Sequence, residues 1–63
     1  MPVYSVTCNI TQFDHILAKL HNEETTAESE KKAVNNILYR WKKRHGYKAS
    51  APIKVTNISV KEL

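Results

Sequence analysis

The side chains with the most capacity for chemistry are His15, His21 and His45, the single cysteine Cys8, Pro2 behind the first methionine, and a basic, aromatic tract from Tyr39 to Lys48. The histidines do not form a ligand set. His15 and His21 are six residues apart, ~240° around a helix, and a structural zinc needs four converging ligands where this chain has one cysteine. We expect them to be solvated surface residues and expect no metal and no cofactor. A nucleophilic Cys8 would have to be exposed. It falls instead on the apolar face of an alternating segment, where a free thiol packs as a small hydrophobe. With one glycine there is no glycine-rich phosphate loop, and the sequons at Asn9-Ile10-Thr11 and Asn57-Ile58-Ser59 carry no weight without a secretory leader.

The tract Tyr39-Arg40-Trp41-Lys42-Lys43-Arg44-His45-Gly46-Tyr47-Lys48 interleaves rings with bases, the composition of a surface that contacts phosphates and stacks on bases. Trp41 continues an apolar helical stripe, so we expect it in the core, leaving Tyr39 and Tyr47 as exposed rings. Arg40, Lys43, Arg44 and Lys48 form the candidate contact patch. Five of the six acids lie between residues 14 and 30, and five of the ten bases between 40 and 48. That layout fits an anion-binding patch. It equally fits a helix with acids at its start and bases at its end, complementing the helix dipole.

These residues need elements to position them. Residues 3–10 alternate, with Tyr4, Val6, Cys8 and Ile10 on one face, and read as a half-buried strand. Residues 11–21 are ambiguous. Phe13, Ile16, Leu17 and Leu20 recur at helical spacing behind Thr11 and Asp14, which resemble a capping box, and this periodicity favours a short helix. A second strand forming a hairpin with the first, with Ile16, Ala18 and Leu20 inward, is the alternative. Thr25 and Glu28 open the strongest element, a helix over about 26–45 with Ala27, Ala33, Val34, Ile37, Leu38 and Trp41 along its apolar stripe, stopped by Gly46. Residues 53–62 read as a closing strand whose phase slips: Ile53 and Val55 point one way, Ile58 and Val60 the other. A bulge near Thr56 and Asn57, or burial on both faces, accounts for the slip. The expected fold is α+β, a small antiparallel sheet (strands near 3–10 and 53–62) packed on one long helix, in a single domain.

Sixty-three residues and 7.3 kDa allow one domain and a small core. The 41% apolar and 25% charged content is that of a globular chain, and the net charge of +4 suits either solubility or an anionic partner. No apolar run approaches the ~18 residues that span a bilayer, and no charged-then-apolar leader opens the sequence. With one free thiol, this leads us to expect a soluble, cytoplasmic protein with no membrane partner.

Two resemblances bear on function. Pro2 ahead of a strand, with Lys54 in the closing strand where a substrate-binding arginine would stand, is similar to the small tautomerases that use an amino-terminal proline as general base. The Gly-Arg pair after the first strand and the closing hairpin of that family are missing. Ala27-Glu28-Ser29, Ala33, Trp41 and Ile53-Lys54-Val55-Thr56-Asn57-Ile58 resemble a run in very small phage-encoded αβ proteins, among them the T7-type inhibitors of host RNA polymerase. That second resemblance implies a non-enzymatic protein that docks on a larger host protein. It departs in charge, since the inhibitors are acidic where they meet their target and the matching half here is basic. The expectation is therefore a non-catalytic inhibitor or regulator whose partner is a larger protein. Nucleic-acid binding through the same patch is the alternative, and homodimerisation a further mode. The proline-dependent enzyme is the remote one.

Overall fold

A computed structural model describes all residues, 1–63. The order of elements is β1 (Val3–Gln12), β2 (His15–Thr26), α1 (Glu30–Arg44) and β3 (Ile53–Glu62). The strands form one antiparallel sheet in the order β2-β1-β3, with β1 in the centre, and α1 packs on one face of it. This is the expected α+β class, with the ambiguous segment resolved as strand.

The helix favoured over 11–21 is not present. β1 runs on to Gln12, and Phe13 and Asp14 make a two-residue turn between paired Gln12 and His15. Both turn residues have positive φ, 49° and 66°, the requirement of the type I′ turn whose twist matches the flanking strands. Asparagine and glycine are the usual residues there, so Phe13-Asp14 carried no turn signal. The helical spacing of Phe13, Ile16, Leu17 and Leu20 arises from an irregular strand. Thr11 pairs with Ile16 but Ile10 pairs with Ala18, which leaves Leu17 as an extra residue. Ala18 and Leu20 therefore face the helix, whereas Ile16 is on the outer face with Thr11.

Two more bulges shape the sheet. Opposite Thr7, β2 carries both His21 and Asn22, and Asn22 takes a φ of 51° while its backbone N–H donates to Thr7 Oγ1 at 3.1 Å. Opposite Cys8, β3 carries both Asn57 and Ile58, and Asn57 has a φ of 50°. Asparagine is among the few residues that enter this left-handed region at small cost. The second bulge is the one expected from the phase slip, and it brings Ile53, Val55 and Val60 to the helix side while Ile58 stays exposed.

The helix starts at Glu30, four residues after the expected start. Thr26 is still paired with Val3, and Ala27 turns into the core with its N–H on the Pro2 carbonyl at 3.2 Å. Ser29 is the cap in place of Thr25: its backbone is extended and its Oγ accepts from the Lys32 N–H at 3.2 Å. The other end closes as expected on Gly46 at φ 76°. The Tyr47 N–H reaches the Lys42 carbonyl at 2.8 Å and the Gly46 N–H the Lys43 carbonyl at 3.4 Å, a complete Schellman motif. Nine residues form the core: Tyr4, Val6, Cys8, Ile10, Ala27, Ala33, Ile37, Trp41 and Ile53. All are apolar or weakly polar, and no buried side-chain polar atom lacks a partner.

Candidate interaction site

The last two turns of α1 carry bases on both flanks. On the β3 side, Lys42 Nζ donates to the carbonyls of Ala49 at 3.1 Å and Ala51 at 3.4 Å, tying the loop of residues 45–52 to the helix. On the β2 side, Arg40 and Arg44 are one turn apart and rim a cleft of about 240 Å³ whose other walls are Leu20, Glu23, Ile37 and Trp41. Arg40 Nη2 donates to the Glu24 carbonyl at 2.8 Å, and Asn36 Nδ2 to the Thr26 carbonyl at 3.3 Å. These two contacts cap outward carbonyls along the β2 edge, a way of blunting an edge strand.

The chain contains one ion pair, Lys32 to Glu28 at 2.6 Å, in which both side chains are mostly exposed. Arg40, Lys43, Arg44 and Lys48 therefore have no carboxylate within 4.0 Å. The helix-dipole arrangement is present at the same time, with Glu30 in the first turn and Lys42, Lys43 and Arg44 in the last. The bases left without a carboxylate and the dipole-complementing charges thus lie on the same helix.

Of the four expected patch residues, the structure brings Arg40 and Arg44 together at the cleft. Lys43 is exposed beside them on the outer side of the helix, and Lys48 belongs to the loop that Lys42 holds, outside the cleft lining. Sequence spacing does not single out Leu20 and Glu23, since 11–21 reads as either helix or strand and 22–26 as a polar connector. On β2, Glu23 pairs with Val6 and so is on the face toward α1.

Trp41 is 8% exposed and cannot serve as a stacking platform. Its ring centroid lies 4.5 Å from that of His45 and 5.2 Å from that of Tyr47, the latter nearly parallel at 17°. The Tyr47 contact is the apolar partner interaction that often accompanies a Schellman cap. Tyr39 at 60% and Tyr47 at 37% are the exposed rings of the tract, as expected, with Tyr47 laid against Trp41.

Cys8 is fully inside the sheet–helix layer, as its strand face predicted. Burial, and secondarily the Glu23 carboxylate, pushes its thiol pKa up, so it is held as an unreactive thiol. Tyr4 is shifted upward in the same way, first by burial and then by Glu62 and Glu30. Pro2 and Lys54 do not form the tautomerase arrangement. Pro2 precedes β1, whereas Lys54 pairs with Thr11 near the other end of that strand, ~30 Å along it. No three His, Cys, Asp or Glu side chains come together in a way that could hold a metal ion, and no helix is long and apolar enough to cross a membrane. No protein-family model matches the chain, and neither the curated proteins nor the solved structures contain a match to it.

Proposed function

We propose that this chain is a small non-catalytic binding protein that docks on a larger, acidic protein surface through the basic end of α1, in the manner of a phage-type inhibitor or regulator acting in the cytoplasm. One observation supports this above the others: Arg40 and Arg44 rim a cleft with an apolar floor, and neither they nor the exposed Lys43 next to Arg44 has a carboxylate partner. Arginine next to a buried aromatic is the composition of an interface anchor. Complementary charge adds on-rate and selectivity to such docking. Lys48 extends the basic surface onto the neighbouring loop.

Nucleic acid is the second reading, favoured by the outer face of the sheet. Ser5, Thr7, Asn9 and Thr11 of β1 are flanked there by Lys19 of β2 and by Lys54 and Lys61 of β3, with Glu24 the one acid. The burial of Trp41 works against base stacking by the helix tract itself. Self-association through the sheet edges is the weakest mode. The helix side chains cap part of the β2 edge, and a two-fold pairing of β3 centred on Asn57 and Ile58 sets Lys54 against Lys61.

The test is affinity capture from lysate, with and without nuclease, using the wild type and a Lys43→Glu, Arg44→Glu variant. The proposal expects a discrete protein retained after nuclease treatment and absent from the variant. Material lost on nuclease treatment would move the assignment to nucleic acid.

A further inference from the structure

We propose that the cleft between β2 and α1 is an anchor site for one apolar side chain of an acidic peptide segment. The proposal rests on the docking reading above and names the chemistry of the partner segment. At about 240 Å³ the cleft is smaller than the ~300–1,000 Å³ of sites that hold drug-sized ligands, which favours a single side chain over a cofactor or nucleotide. Its floor is Leu20, Ile37 and Trp41, two of them core residues, so the bottom of the cleft is fixed by the same packing that holds the fold together.

The rim selects the sign of the ligand. Arg44 has no carboxylate within ion-pair distance, and Arg40 engages only the neutral Glu24 carbonyl at 2.8 Å. Both guanidiniums retain donors for a carboxylate, and Lys43 adds a third positive charge outside the lining. Glu23 is the one acid in the wall, half-buried and free of any cation within 4.0 Å. It supplies an acceptor for a backbone N–H of the incoming segment and opposes any carboxylate that enters the cleft itself. The favoured sequence therefore has its apolar residue central and its acids on either side.

Trp41 is the only tryptophan and lines the cleft, so its emission reports occupancy directly. The full chain is titrated with capped Asp-Asp-Phe-Asp-Asp and, separately, with capped Asp-Asp-Gly-Asp-Asp. The phenylalanine peptide is expected to change Trp41 emission and to bind about tenfold more tightly than the glycine peptide, the gain from burying one ring. Arg44→Gln, an exposed and conservative change, should weaken the phenylalanine peptide about tenfold. Glu23→Gln should strengthen it a few-fold by removing the like charge. Equal binding of the two peptides with unchanged emission would overturn the anchor and leave the docking reading intact. No binding of either peptide, or stronger binding of a short oligothymidylate that depends on Arg44, would overturn the anchor too, and the second result would also shift the docking reading to nucleic acid.

Discussion

The two flanks of α1 carry basic side chains in different surroundings. On the β3 side, Lys42 is half-buried and spends its ammonium on two loop carbonyls, with Val34, Leu38 and Ala51 packed around the core beside it. On the β2 side, Arg40, Lys43 and Arg44 meet no carboxylate, and a cleft remains between helix and strand. Arg40 shares part of the structural role through its bond to the Glu24 carbonyl, whereas the Lys43 and Arg44 side chains make no hydrogen bond or ion pair, so neighbouring bases of one tract differ in what they are tied to. A basic tract read along the sequence merges the two kinds.

Trp41 lines the cleft and stacks on Tyr47 at the helix end, so replacing it disturbs both flanks. Trp41→Ala is expected to cost ~3–5 kcal/mol, comparable with the ~3–5 kcal/mol that a core of this size supplies. The variant should show no cooperative thermal transition by circular dichroism. A persistent transition near that of the wild type would show that the helix end is held by something other than the indole.

Alkaline pH probes the layer beneath the β2 flank. The pKa values of Cys8 and Tyr4 are raised in the fold, so the folded state holds protons that the unfolded chain gives up earlier as pH rises. Their contribution is complete below the ordinary thiol and phenol values and is lost as pH climbs through the raised ones. Chemical-denaturation midpoints should therefore decline above about pH 9, the region where an unperturbed thiol ionises. Cys8→Ala should flatten the thiol part of that decline, and an unchanged slope would refute its assignment to Cys8.

The β2 flank can be sharpened from a distance. Phe13 is 74% exposed and strained at positive φ, so the double change Phe13→Asn, Asp14→Gly should stabilise the fold by about 1 kcal/mol without touching the cleft. Urea unfolding measures the gain, and a loss of stability would mean that the Phe13 ring makes a contact of its own. The smallest effects separate the flanks themselves. Lys42→Ala should cost up to about 1 kcal/mol through its two hydrogen bonds, whereas Lys43→Ala should change stability by less than about 0.5 kcal/mol. Equal costs would erase the distinction.

Legibility followed the strength of local rules. The alternation of Tyr4, Val6, Cys8 and Ile10, the Ala33-Ile37-Trp41 stripe and the Gly46 stop each follow one physical rule, and the structure shows all three. The slip in β3 pointed to a bulge because its two apolar pairs kept opposite phases. β2 reads ambiguously between helix and strand because two bulges and a turn without asparagine or glycine break its alternation into something close to helical spacing. The cleft followed the same logic: Arg40 and Arg44 were visible from the basic tract, but Leu20 and Glu23 join them only through a strand that the sequence did not resolve. Lys48 is close to them in sequence, but the Schellman turn carries it into the loop beyond the helix.

The proposed binding surface is the β2 flank of α1. Parallel capture from lysate after nuclease treatment, with wild type, Lys43→Glu, Arg44→Glu and Lys42→Gln proteins at matched folding, tests it most directly. One discrete protein is expected to be retained by wild type and Lys42→Gln, released by moderate salt, and missing from the charge-reversed variant. Retention of the same protein by the charge-reversed variant would contradict that expectation and place the contact surface elsewhere on the molecule.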